Sequence, residues 1–205
     1  MKKTTEKNFT RRQQEIINKA ATIISRKGIQ NLTIKNLSKM IGITEPAIYR
    51  HFKNKEEILS NILFFFKQKI NKKFNNTDNL LSIQDEKAIS ILKKFLYEHL
   101  TVFLQFPAFS FILFSEEIFQ NNKKVFKQIM EIMQEEENTI KKIINEAKAR
   151  GEIRNDIPPK NITHIILGSI RLLIKKWYFS NFKTDLTSDF KSLWNSLLII
   201  ITKKQ

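Results

Sequence analysis

The chain has no cysteine among its 205 residues. That excludes disulfides, thiol nucleophiles, cysteine-based zinc sites and iron–sulfur clusters together. Its three histidines, His51, His99 and His164, are widely scattered. They make a poor ligand set, so neither a metal nor a cofactor is expected. Glycine and proline number four each, below average usage, which leaves few residues to punctuate short strands. Long apolar runs are missing as well. The most apolar stretch, Val102 to Phe114, spans 13 residues and is broken by Gln105 and Pro107, whereas a membrane-spanning helix needs roughly 20. The basic start MKKTTEKNFTRRQQ is not followed by the apolar segment of a secretory signal. A soluble, cytoplasmic protein is expected. No nucleophile–base motif, glycine-rich phosphate loop or metal spacing occurs, so an enzyme is not expected.

Hydrophobic residues make up 41% and charged residues 27% of the chain, as in soluble globular proteins. The length suits one well-buried domain, or a small domain joined to a larger one. The formal net charge of +16 favours polyanions: nucleic acid, anionic lipid or acidic protein. An overall bias towards Lys, Asn, Ile and Phe accounts for such an excess equally well. Its distribution is more informative. Residues 1–57 hold 13 Lys+Arg against 5 Asp+Glu, and residues 58–205 hold 23 against 15. The first segment carries the same excess in well under half the length. Charge alone leaves open a basic adaptor or membrane-surface protein without sequence-specific DNA binding.

The spacing of apolar residues is helical throughout, and no strand is expected. Thr10 with Gln13 forms a capping box ahead of Ile16, Ile17, Ala20, Ile23 and Ile24, and Gly28 supplies the stop. Thr33 caps a short helix with Leu37, Met40 and Ile41 on its buried face. A third helix starts at Glu45 or Pro46 and runs to about Phe52. Asn54 caps a fourth, whose stripe Ile58, Ile62, Phe65, Phe66, Ile70 continues to about Phe74. Residues 75–82 read as a loop. Further helices are predicted from about Asp85 to Gln105, from after Pro107 to about Phe119, from about Asn122 to Arg150, from Pro158–Pro159 to about Phe179, and from about Ser188 to Thr202. The plan is all-α with about nine helices.

Two short helices around Gly42 make a helix-turn-helix. Gly42 tolerates the left-handed turn, Ser38 four positions earlier lets the helices cross closely, and Ile43, Ile48 and Phe52 anchor the second helix. Thr44, Glu45, Ala47, Tyr49, Arg50 and His51 are left facing outward. A short, exposed, polar-aromatic helix of this kind suits a major groove. Its N-terminal residues reach base edges, and Tyr, His and Lys side chains bond phosphates. Lys55 sits at the start of the fourth helix, where backbone N–H groups also attract a phosphate.

The stretch LTIKNLSKMIGITEPAIYRHFKNKEEIL, residues 32–59, resembles the DNA-binding signature of TetR-type transcriptional repressors. The match includes the helix ending at Gly28, the Leu-Thr-x-x-x-small-x-x-x-Gly run, Tyr49, His51-Phe52 and the Lys-x-Lys-Glu-Glu opening of the fourth helix. It covers roughly the first 60 residues; the remainder matches in helical pattern alone. The resemblance implies a three-helix DNA-binding domain at 1–57 and a larger helical effector-binding and dimerisation domain at 58–205. It implies that Lys35, Thr44, Glu45, Pro46 and Ala47 face bases and that Thr33, Tyr49, His51 and Lys55 contact the DNA backbone. It further implies a homodimer on a near-palindromic operator, released by a small apolar effector. Glu45 departs from the neutral or basic residue of many relatives; a carboxylate there accepts from cytosine N4 but repels phosphates.

Within the second domain, FLQFPAFSFILF, residues 103–114, reads either as core or as the wall of an apolar effector pocket. The pocket reading takes His99, Phe103, Phe106, Phe109, Ile112 and Phe114. His99 and His164 lie in apolar stripes and suit core or pocket hydrogen bonding. Glu135 to Glu137 and Lys141–Lys142 read as a solvated helix face. On the last two helices, Ile166, Ile170, Trp177, Trp194 and Leu197 are candidates for a dimer interface, where aromatics are enriched; core packing is the competing reading.

Overall fold

A computed structural model of the chain describes residues 9–74, 86–114 and 122–202. Among these residues the structure is all-α, with nine α-helices and no strand. Helix α1 spans Arg11–Lys27. Its capping box is formed: the Thr10 N–H donates to Gln13 Oε1 at 3.0 Å and the Gln13 N–H donates to Thr10 Oγ1 at 3.2 Å. Gly28 ends it at φ 81° and ψ 165°. A 3₁₀ turn, Ile29–Asn31, leads into α2, Ile34–Ile41, and α3, Glu45–Tyr49.

Helix α4, Lys55–Phe74, is capped by Asn54, whose Oδ1 accepts from the Glu57 N–H at 2.8 Å. It runs unbroken past residue 57, so the expected domain boundary falls inside its first turn. Helix α5 is Ala88–Gln105 and α6 is Ala108–Leu113, separated by Phe106 and Pro107. Helix α7, Lys123–Ala149, starts at Asn122, which accepts from the Val125 N–H at 3.0 Å, and is followed by Gly151 at φ 69°. Helices α8, Pro159–Phe179, and α9, Leu186–Ile201, complete the chain. The expected loop at 75–82, the residue Asp85 and the end of the sixth helix near Phe119 lie outside the described residues.

One apolar cluster runs from Ile16 on α1 to Ile201 on α9. Helix α7 is the centre of the larger part, packing against α4, α5 and α8; α1 packs on α6, which seats the N-terminal head on the core. The turn after α7 ties distant ends together. Glu152 accepts from the N–H groups of Ala88 and Ile89, both at 2.9 Å, and so caps α5. The Arg154 N–H donates to the Ile201 carbonyl at 2.9 Å at the end of α9. These bonds satisfy backbone groups that helix ends otherwise leave orphaned.

Candidate nucleic-acid interface and effector cavity

The head is built around the α2–turn–α3 corner. Thr33 caps α2 by accepting from the Asn36 N–H at 3.1 Å. Gly42 is left-handed, at φ 77° and ψ 35°, and both its N–H and that of Ile43 donate to the Ser38 carbonyl, at 2.9 and 3.1 Å. Ser38 is buried, with its hydroxyl donating to the Lys35 carbonyl at 2.9 Å, so the crossing point is small and its polar atom is satisfied. Leu37, Ile48 and Phe52 pin the corner from inside. Met40, expected on the buried face of α2, is instead 37% exposed. Helix α3 is also shorter than expected. It ends at Tyr49, because the Ile48 carbonyl accepts from both His51, at 2.9 Å, and Phe52, at 3.0 Å, closing a turn.

None of the residues that the resemblance assigns to DNA is buried. Thr33, Lys35, Thr44, Glu45, Pro46 and Tyr49 are exposed, and Ala47 and His51 are half-buried. Thr44 occupies the N-cap of α3, is exposed and makes no side-chain cap bond. Lys55 differs from expectation in one respect: its ammonium donates to the Ile29 carbonyl at 3.2 Å, bracing α4 against the 3₁₀ turn. Glu57 reaches back to accept from the Lys53 N–H at 2.7 Å.

In the larger part, a cavity of about 110 Å³ opens between α4, α5, α7 and the end of α6. Phe66, Phe95, Phe103, Leu113, Ile132 and Met133 supply its apolar wall, and His99 and Thr139 add polar atoms. The Phe66 ring meets Phe103 edge-on at 5.5 Å and lies 4.0 Å from Phe109. His99 is buried, with Nδ1 2.9 Å from the Phe95 carbonyl. Of the pocket residues read from the sequence, His99 and Phe103 therefore stand in this wall. Phe109 lines a smaller neighbouring void of about 20 Å³, and Phe106 lines a groove between α1 and α6. Ile112 is core and Phe114 is half-buried outside the cavity wall. The sequence reading missed the contributions of α4 and α7, including Phe66, Lys67 and Met133.

The acidic run of α7 is the other departure. Glu135 to Glu137 do not form a merely solvated face; each meets a cationic or basic group on another helix. The Lys67 ammonium on α4 donates to Glu135 Oε1 at 2.5 Å, at the mouth of the cavity. Arg171 on α8 lies 3.8 Å from Glu136, and His164 on α8 lies 3.5 Å from Glu137. His164 is accordingly exposed rather than set in an apolar stripe. Successive helical positions point about 100° apart, so one turn of α7 reaches both α4 and α8.

Ile166, Ile170, Trp177, Trp194 and Leu197 are all buried inside the single chain, with Trp177 packed edge-on against Phe182 at 4.7 Å. The outward apolar residues of the same two helices are Ile165, Leu172 and Phe179 on α8 and Ile199 and Ile200 on α9. No group of three potential metal ligands occurs among the described residues. No helix among them is long and apolar enough to cross a membrane.

Residues 16–62 match the family described as "Bacterial regulatory proteins, tetR family", and residues 66–200 match that described as "YsiA-like protein, C-terminal region". The nucleoid occlusion factor SlmA of Vibrio campbellii is 23% identical over 187 residues, covering 90% of this chain and 93% of that protein. Two solved structures share the fold. The fatty acid degradation regulator FadR from Bacillus halodurans superposes with a TM-score of 0.76 at 20% identity, over 94% of this chain and 97% of its own. The transcriptional regulator FadR from Bacillus subtilis, in complex with stearoyl-CoA, gives 0.71 at 24% identity, over 90% and 97%. With a helix-turn-helix head on an all-helical core, and both parts matched in sequence, the chain belongs to the tetR family of DNA-binding bacterial transcription regulators.

Proposed function

We propose that the protein is a repressor that binds a near-palindromic operator as a homodimer and is released by a small molecule with an apolar tail. The observation that carries the ligand response is the continuity of α4. Its first turn is braced to the head through Lys55, and three turns later the same helix supplies Phe66, Lys67 and Ile70 to the cavity wall. A ligand that displaces this wall moves the helix that positions α2 and α3.

The cavity supports a response that needs movement. At about 110 Å³ it is smaller than a cavity of roughly 150 Å³ that admits benzene, and well below the roughly 300–1,000 Å³ of drug-sized sites. A long-chain effector needs more room than this cavity offers, which a separation of α4, α5 and α7 would supply. It shifts the equilibrium only through tighter binding to that state; a 100-fold preference is worth about 2.7 kcal/mol. The stearoyl-CoA bound to the similarly folded Bacillus subtilis regulator makes long-chain acyl thioesters the first class to test here.

The dimer reading rests on the outer faces of α8 and α9. Ile165, Leu172 and Phe179 recur every seven residues and remain exposed in the single chain. Packed across a two-fold axis, such faces carry two heads to major grooves about 34–36 Å apart. The test is fluorescence anisotropy on an operator selected from random duplex DNA. Wild type should bind with steep salt dependence and be released by an acyl-CoA series, and Tyr49→Ala should lose binding with the fold intact. Normal duplex binding by Tyr49→Ala refutes the reading surface; indifference to every acyl-CoA refutes the effector class. The relatives named nucleoid occlusion factors favour a second reading, a chromosome-wide DNA-binding role. Mapping bound sites across the genome separates the two: a few promoter sites support the repressor, many dispersed sites the alternative.

A further inference from the structure

We propose that Glu45 reads a cytosine in each half-site, accepting a hydrogen bond from the N4 amino group in the major groove. This rests on α3 being the recognition helix. Glu45 is the first residue of α3 and is exposed. Elsewhere in the head, Glu15 lies 2.5 Å from Arg12, and Glu57 accepts from the Lys53 N–H at 2.7 Å. The Glu45 and Glu56 carboxylates have no such partner among the described residues, and of the two only Glu45 lies on α3. An unpaired acid on the groove-facing side of a strongly basic head opposes phosphate binding, so its place there calls for a donor on the DNA.

The donors available in a major groove are few. Guanine presents only acceptors, N7 and O6, and thymine presents O4 and a methyl group. Adenine offers the N6 amino group beside its own N7 acceptor, which repels a carboxylate. Cytosine offers the N4 amino group without an acceptor of its own on that edge. A carboxylate therefore selects cytosine and disfavours the other bases and the phosphates alike. The surroundings fix its position. Pro46 follows directly and holds the first turn of α3 rigid. Ile48, fully buried, sets the rotation of α3 against the corner. Thr44, directly before it, is exposed and its hydroxyl makes no cap bond. Repulsion from phosphates weakens binding to unrelated duplex, so Glu45 sharpens specificity from both directions.

The experiment is selection from randomised duplex DNA with the full chain, in wild type and in Glu45→Gln, Glu45→Ala and Glu45→Asp. Wild type should select one C·G pair of fixed strand in each half-site. Replacing that pair should weaken wild-type binding by about 5- to 150-fold, the range for a good base contact. Glu45→Gln should redirect that position towards adenine, Glu45→Ala should flatten it, and the remaining positions should be unchanged. Glu45→Asp keeps the charge but shortens the reach. Reduced discrimination in it with a preserved salt slope marks a base contact rather than a general charge effect. A wild-type motif with no cytosine, or a preference unmoved in all three variants, overturns the proposal. A wild type that binds no duplex at all overturns the DNA-binding reading itself and is told apart by that result.

Discussion

Leu172→Asp is expected to separate two copies of the protein while leaving each folded. Leu172 is 60% exposed on α8, and Phe179, two turns on, is 65% exposed. A charge at 172 meets water in the single chain, where such surface changes stay within about 0.5 kcal/mol. In a two-fold interface the position occurs twice. Covering the exposed three-fifths of one leucine is worth about 1–2 kcal/mol. Losing it in both copies removes about 2–4 kcal/mol and raises the dimer Kd roughly 30- to 1,000-fold. Trp177→Ala makes the contrast. Trp177 is 4% exposed and its ring lies 4.7 Å from that of Phe182, so truncation leaves a cavity that lowers fold stability by about 3–5 kcal/mol. Sedimentation of both variants over a concentration series, with urea unfolding at fixed concentration, reads the two effects separately. A Leu172→Asp protein that stays dimeric, beside a Trp177→Ala protein that dissociates at unchanged stability, would refute the assignment of the outer face.

Three further outcomes are expected. Gly28→Ala should destabilise more than Gly42→Ala in urea unfolding: a Cβ at Gly42 meets open space, so the left-handed backbone alone costs about 1–2 kcal/mol. At Gly28 the backbone lies where essentially only glycine goes; equal losses would count against this. Ile132→Phe, on the cavity wall, should bind operator as wild type does yet resist release by long-chain acyl-CoA, and unchanged release would place the effector elsewhere. The Arg154 guanidinium beside Asp156 holds that carboxyl down, from the ordinary 3.8 to about 2. A depressed pKa contributes stability that is present above the unfolded value and lost as pH falls towards about 2. Carboxyl NMR titration should place the Asp156 midpoint there, and Arg154→Ala should return it towards 3.8.

The features legible in the sequence were those fixed by residues a few positions apart. Thr10 with Gln13, Thr33 at the head of α2, Asn54 ahead of α4 and Gly42 in the turn each act on backbone within one helical turn, and each does so in the structure. The end of α3 escaped because the choice between helix and turn after Ile48 lies in how one carbonyl is shared, which apolar spacing does not encode. Glu135 to Glu137 escaped for a different reason. Their partners lie on α4 and α8, far along the chain, and a run of like charge looks solvated until the helices that flank it are placed.

The last two helices show why side-chain size alone does not separate a core face from an interface face. A helix that serves both a core and a partner carries two apolar stripes. On α8 the stripe through Ile162, Ile166, Ile170 and Trp177 is buried, while Ile165, Leu172 and Phe179, set seven apart, remain outside. Both stripes are present in the sequence. The larger aromatic side chains drew the interface assignment, yet the size that enriches tryptophan at interfaces is equally what fills a core. The proposed dimer rests instead on the second stripe, because a helix that only covers a core keeps its opposite face polar.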